Sequence, residues 1–245
     1  APLLTQNEVD SNIDYDGDGI PDIIEEKIFG TDPSGADNDS DGVNDAAEII
    51  LGTNPHDPNS TPYIVDSNIH AAVSGYCDNS GNYPGNTYGV IGGWDVSAVT
   101  NMSNLFDGKS YFNEDIGDWD VSGVTNMTAM FDGASAFNQD ISGWDVSSVE
   151  NMDGMFRDAS VFNQDIGGWD VSGVTNMTAM FQNASDFNQD ISGWDVSNVT
   201  NMVNMFNEAS AFNNGGVPLD WDVSSVINMA YMFKDASSFD QDISG

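Results

Sequence analysis

Basic residues are almost missing from this chain. Lys27, Lys109, Arg157 and Lys234 are the only Lys or Arg among 245 residues, against forty Asp and Glu, and the formal charge is −36. Such a chain cannot offer the basic footprint that nucleic-acid phosphates require. Docking on an anionic membrane surface is excluded for the same reason. Cysteine is nearly absent too. Cys77 stands alone, so stapling must come from metal or from stacking rather than from an internal disulfide. No apolar run is long enough to span a bilayer. The chain opens at Ala1 without a basic-then-apolar leader, which predicts a processed, secreted protein. What is present is apolar: hydrophobic residues make up 39% of the chain and aromatic residues 11% of it, enough for a core, so the acidity does not imply disorder. The positive partners left open are metal ions, basic proteins and polycationic surfaces.

Two grammars divide the chain. Residues 1–62 hold fifteen of the forty acids and neither Trp nor Met, whereas residues 94–245 hold all six Trp, all eleven Met and twelve of the thirteen Phe. The shift predicts a leader over 1–13, an acidic region over 14–62, a lead-in over 63–93 and a repeat region over 94–245. Ile69, Ala72, Val73 and Tyr76 fall at helical spacing after a cap at Asp66 or Ser67. Seven N-x-S/T sequons occur, at Asn38, Asn59, Asn101, Asn126, Asn176, Asn183 and Asn198. Three of them, at 101, 126 and 176, are by-products of a repeated N-M-[ST] phrase.

The acidic region states one phrase twice. Asp14, Asp16, Asp18, Gly19, Asp22 and Glu25 recur as Asp37, Asp39, Asp41, Gly42, Asp45 and Glu48. Both copies satisfy the twelve-residue calcium loop D-x-[DN]-x-[DN]-G-x₅-E. A hard cation takes six to eight oxygens at about 2.3–2.6 Å, and alternating aspartates turn their carboxylates inward as the chain curls. Ile20 and Val43 offer backbone carbonyls, Asp22 and Asp45 act directly or through water, and Glu25 and Glu48 close the shell. Without metal, carboxylates about 5 Å apart repel by roughly 0.8 kcal/mol even in water. Calcium binding, of two or more ions, is therefore expected to supply folding energy, as a static staple rather than a switch. An exit helix is predicted after each loop, over Asp22–Phe29 and Asp45–Leu51, and each stops at Gly-Thr-[Asp/Asn]-Pro. No entering helix precedes either loop, unlike an EF-hand.

The arrangement D-x-D-x-D-G-[IV]-x-D-x-x-E followed by G-T-[DN]-P, over residues 10–58, resembles the bacterial thrombospondin type 3 repeat. The resemblance implies a calcium-rigidified spacer of an extracellular or cell-surface protein, here a short connector.

Tryptophans stand at 94, 119, 144, 169, 194 and 221, each followed by Asp-Val-Ser, then Val, Asn-Met, an L/M-F pair and a Phe. The steps are 25 residues until the last, which gains two residues within Asn213–Asp220. A constant period of this size means a solenoid, since a WD propeller needs about forty residues per unit. Ile141, Trp144 and Val146 match a leucine-rich-repeat frame, placing Trp and Val inward and Asp145 and Ser147 outward. Val124, Met127, Met130, Phe131 and Ala134 recur at three- and four-residue steps, which predicts a short helix. The fold class is accordingly an α/β solenoid, a leucine-rich-repeat-like stack of six strand-plus-short-helix coils. No coil can bury its apolar face alone.

The phrase WDVSxVTNMxxMFxxAxxFNxDIxxW resembles the 25-residue leucine-rich-like repeat of BspA-type surface proteins, over residues 63–245. The resemblance implies a secreted or surface-anchored protein that adheres to host proteins, matrix or neighbouring cells, and it carries no agreed catalytic residues.

Two roles are open for the column Asp95, Asp120, Asp145, Asp170, Asp195 and Asp222: an acidic ladder for cations, or a set of Asx turns with the following Ser. Occurrence in every unit favours the second. The Met and Phe columns read as core, His56 and His70 as isolated and exposed, and Cys77 as a buried small side chain. The last unit stops where the next Trp is due, an open edge that predicts head-to-tail self-association into a filament. The expected function is non-enzymatic: an extracellular calcium-binding structural element that self-associates. The alternative is an adhesin using one solenoid face on a protein or glycan, and more remotely a carbohydrate-active enzyme.

Overall fold

The computed structural model describes residues 13–17, 19–40, 44–51, 55–56, 63–77 and 91–241. In the acidic region each loop runs into a helix. Asp22–Ile24 (α1) continues as a π-helical turn over Glu25–Phe29, and Asp45–Leu51 forms α2. Both start on acids, which suit the positive end of a helix. The first ends where Gly30 turns left-handed at φ 79° and its amide returns 2.6 Å to the Glu25 carbonyl. Glycine takes that conformation without steric cost. The five-residue reach of this bond widens the closing turns, which is how the structure departs from the uniform helix expected over Asp22–Phe29.

In the lead-in, β1 (Tyr63–Val65) pairs in parallel with β2 (Asp95–Ala98). Between them α3 (Ile69–Tyr76) buries Ile69, Ala72 and Val73, the face its spacing predicts. Its N-cap is Asn68 rather than Asp66 or Ser67. Asp66 is engaged elsewhere: its carboxylate accepts the Thr100 amide at 2.7 Å, the Thr100 hydroxyl at 2.6 Å and the Asn101 amide at 3.0 Å. These donors otherwise need carbonyls from a preceding coil, so Asp66 terminates the ladder at its first rung.

From Trp94 onward the chain lies back on itself once per repeat. Parallel bridges join Asn101 to Asn126, Asn126 to Asn151, Asn151 to Asn176, Asn176 to Asn201, and Asn201 to Asn228. Every coil adds the same rungs. The Met102, Asn104, Phe106 and Gly108 amides donate to the carbonyls of Asn126, Thr128, Met130 and Asp132 at 2.7–2.9 Å, and each later coil repeats this toward the next.

Those rungs explain a correction. The segment expected as a short helix, Val124 to Ala134, is a succession of turns. Its local bonds span three residues, as from the Met130 amide to the Met127 carbonyl at 3.2 Å. Alternate amides are turned out of the coil to the neighbouring carbonyls, so they cannot close i→i−4 bonds. Ala129 at φ 51° and Gly133 at φ 69° take left-handed conformations that end any α-helical run. The strand half is reduced likewise. Among the described residues β2 is the one strand within the repeats; in later coils the equivalent Asp-Val pair is irregular and a turn begins at the Ser that follows. Their inside-outside alternation nevertheless holds, with Trp119 and Val121 buried and Asp120 and Ser122 exposed.

A single apolar cluster runs from Ile64 to Met232, built as columns. Phe106, Phe131, Phe156, Phe181, Phe206 and Phe233 stack with centroids 5.3–5.6 Å apart. Phe112, Phe137, Phe162, Phe187, Phe212 and Phe239 form a second pile at 5.9–6.1 Å. Each Trp indole N–H from Trp119 on donates to the carbonyl of an Ile in the coil before, as Trp169 does to Ile141 at 3.2 Å. The two-residue insertion is absorbed outside these columns. Asn214 is buried in a 3₁₀ turn (Asn214–Gly216), accepts the Ile191 amide at 2.8 Å and donates to the Val217 carbonyl at 2.8 Å. Trp221 therefore still stacks 6.3 Å from Trp194.

The last described coil shows what a neighbour contributes. Val223 is 38% exposed and Met229 43%, where Val196 and Met202, one coil earlier, are 1% and 0%. Fully burying one such side chain is worth about 1.5–3 kcal/mol. Stacking is thus where a coil obtains its stability.

Candidate metal centre and repeat columns

The two acidic loops fold alike. The Tyr15 amide donates to Asp22 Oδ1 at 2.9 Å, and the Asn38 amide to Asp45 Oδ1 at 2.9 Å. The Gly17 amide donates to Asp14 Oδ1 at 2.8 Å, and the Ser40 amide to Asp37 Oδ1 at 2.7 Å. The Asp22 amide reaches the Ile13 carbonyl and the Asp45 amide the Ala36 carbonyl, at 2.8 and 3.0 Å. In the first loop Asp14 Oδ2 also accepts the Gly19 amide at 3.2 Å, with Gly19 at φ 102°. Gly19 thus makes the sharp turn that lets this loop curl.

Of the twelve predicted ligand positions, Asp18, Asp41 and Val43 lie outside the described residues. The side chain of Ile20 is buried. Glu25, Asp45 and Glu48 are wholly buried, and the inner oxygens Asp16 Oδ2 and Asp39 Oδ2 are closed to solvent. Thr31 donates its hydroxyl to Glu25 Oε1 at 3.2 Å. Among the described residues no three His, Cys, Asp or Glu side chains converge closely enough to hold an ion. The donor set itself fits calcium: hard carboxylate oxygens, with Asp16 Oδ2 and Glu25 of the first loop matched by Asp39 Oδ2 and Glu48 of the second as groups closed to solvent, and no sulfur or imidazole among the predicted ligands. Asp14, Asp16, Asp22 and Glu25 would hold one ion and Asp37, Asp39, Asp45 and Glu48 another. The ion would supply the crosslink between a loop and its exit helix.

In the repeats the aspartate column is committed to turns. Asp170 Oδ1 accepts the Ser172 amide at 3.0 Å and its hydroxyl at 2.6 Å, and Asp95, Asp120 and Asp145 do the same with Ser97, Ser122 and Ser147. The serine hydroxyl bond, then the amide, hold the carboxyls of Asp120, Asp145, Asp170, Asp195 and Asp222 below the usual range. The Asx-turn role is the one the geometry displays.

Other columns were not assigned a role from sequence. Asn113, Asn138, Asn163 and Asn188 each accept, through Oδ1, the amide of the next Asn in the column at 2.7–2.9 Å. Gln139, Gln164 and Gln189 donate to the carbonyl of the Asn one coil back. The signal was visible in the repeated Phe-Asn-Gln-Asp phrase. Arg157 pairs with Asp132, one coil before it, and also faces Asp153, whose carboxyl burial pushes up against the opposing pull of Arg157. Cys77 is buried as expected. The histidines are exposed but not isolated: His70 Nε2 meets the Ser103 carbonyl at 2.8 Å, and His56 is bonded to both acidic repeats. No helix among the described residues is long and apolar enough to cross a membrane.

Comparison with known families agrees with both halves of this architecture. The bacterial TSP3 repeat matches residues 14–34 and again 37–58. The family described as "Mycoplasma protein of unknown function, DUF285" matches residues 80–185 and 162–245. Both are non-catalytic kinds of repeat domain, typical of extracellular or surface proteins. No curated protein matches the chain. With two TSP3 repeats ahead of coils that fill more than half its length, the chain belongs to the DUF285 family of BspA-like repeat proteins.

Proposed function

We infer that the protein is a non-enzymatic structural element of an extracellular surface, a calcium-stiffened connector carrying a rigid stack of coils, and that the stack is a leucine-rich-repeat-like solenoid. One observation carries the reading. The polar groups that recur along the repeats are spent on the fold itself: the Asp-Ser pairs close a turn within each coil, while the Asn column and the Trp–Ile bonds hold coil to coil. Catalysis needs a site where the repeat is broken by convergent reactive groups. Here the repeated groups are structural, and the inward carboxylates of the two loops give the one cation chemistry the sequence specifies.

Self-association belongs to this reading, because coils with matching columns present complementary edges to one another. Size-exclusion chromatography with negative-stain imaging in calcium tests it. Ordered oligomers or filaments are expected, and a stable monomer at micromolar concentration refutes assembly. The adhesin reading makes a different demand. Asp145→Ala, Asp170→Ala and Asp195→Ala together would abolish capture of a protein or glycan ligand without unfolding the chain.

A further inference from the structure

Among the described residues the side chain of His56 joins the two acidic repeats. His56 Nε2 lies 3.3 Å from the Phe29 carbonyl, and its Nδ1 lies 2.6 Å from Asn38 Nδ2. An amide nitrogen can only donate and a carbonyl can only accept. The imidazole is therefore the Nε2–H tautomer, donating to Phe29 and accepting from Asn38. Asn38 Nδ2 also reaches the Pro55 carbonyl at 3.4 Å. The ring sits against Gly30, whose added Cβ would lie 3.8 Å from His56 Nε2.

Both ends of this bridge are anchored in the loops. Phe29 is the last residue of the turn that begins at Glu25, the closing carboxylate of the first loop, and Gly30 seals that turn on the Glu25 carbonyl. Asn38 lies between Asp37 and Asp39, and its own amide holds Asp45 Oδ1. The first repeat lacks the device, with Tyr15 at the place of Asn38 and Ser34 at that of His56. The coupling is thus built into the junction and does not follow from the loop motif.

We propose that His56 is a positioning residue that couples the two calcium loops, so that filling one loop raises the affinity of the other. The coupling rests on the calcium reading of the loops. Ordering the first loop fixes Glu25 and hence the Phe29 carbonyl, which sets His56. His56 then holds Asn38, and with it the amide that orients Asp45. Linkage makes the effect reciprocal, and couplings of this kind usually change affinity about 5- to 150-fold. Two neutral hydrogen bonds place this one at the low end, about five- to tenfold.

Calorimetric titration of the full chain with calcium chloride tests it. Wild type should bind two ions, the second about five- to tenfold tighter than its intrinsic affinity. His56→Ala should still bind two ions, now independently. Asn38→Ala should match it, and the double variant should lose nothing further. His56→Gln, which keeps a donor and an acceptor at similar reach, should recover part of the coupling. Two ions with coupling unchanged in both single variants overturn the proposal and leave the calcium reading standing. A wild-type chain that takes up no calcium overturns that reading itself.

Discussion

Replacing the same aromatic side chain in the middle and at the last described rung of one column should give unequal losses. Phe156 is fully buried, stacks 5.5 Å from Phe131 and 5.6 Å from Phe181, and touches Phe162 with centroids 4.0 Å apart. Phe156→Ala removes the transfer energy of the ring and leaves a cavity walled by four rings, Trp169 being the fourth, for about 3–5 kcal/mol. Each aromatic pair contributes about 0.5–1.5 kcal/mol of that beyond burial. Phe233 occupies the same column but is only partly buried, with Phe206 stacked on one side at 5.6 Å. Losing one cross-coil partner and part of the burial lowers the expected cost of Phe233→Ala to about half, roughly 1.5–2.5 kcal/mol. Urea unfolding followed by circular dichroism, with both variants on one scale, measures the difference. Equal losses at the two positions would refute the claim that each coil draws its stability from its neighbours.

Three further outcomes follow from particular contacts. Asp132 is nearly buried beside Arg157, so Arg157→Met should cost about 1–3 kcal/mol by stranding a carboxylate, and adding Asp132→Asn should recover most of it in the same urea assay. The serine-held carboxyls of Asp120, Asp145 and Asp170 are depressed in the folded chain. Their stabilisation is then complete above the unfolded value, about 3.9, and is lost as pH falls through the lower folded values. Thermal melts should accordingly hold their midpoint from pH 7 to 5 and drop below pH 4. Substituting Ala for Ser122, Ser147 and Ser172 together should flatten that drop, and an unchanged pH profile would contradict the assignment. Asp16→Ala with Asp39→Ala should unfold the acidic region in calcium, read by limited proteolysis, while residues 94–241 stay resistant.

The legible parts of the fold were those written as apolar period. Trp94 to Trp221, the two Phe columns and Ile69, Ala72 and Val73 were placed inside from spacing alone, because burial is a property of side chains. The turns at Val124–Ala134 were not legible, since three- and four-residue steps fit an α-helix and a run of turns equally well. What decides between them is where the amides go, and the Phe131 amide goes 2.8 Å to the Met155 carbonyl, in the next coil. Nothing marks Ala129 as left-handed in sequence, because alanine ordinarily avoids that region. Loop identity was legible from carboxylate spacing, whereas the His56 junction was not: its contacts reach 27 and 18 residues back and belong to no repeated phrase.

Hydrogen exchange of the full chain, compared between excess calcium and excess chelator, tests most directly whether metal folds the acidic region while stacking folds the rest. Amides within 13–56, above all those of Tyr15, Asn38 and Asp45, should gain strong protection in calcium. The rung amides from Met102 to Glu208 should be equally protected in both conditions. Identical exchange across 13–56 with and without calcium would contradict the account, as would a stack that loses protection in chelator.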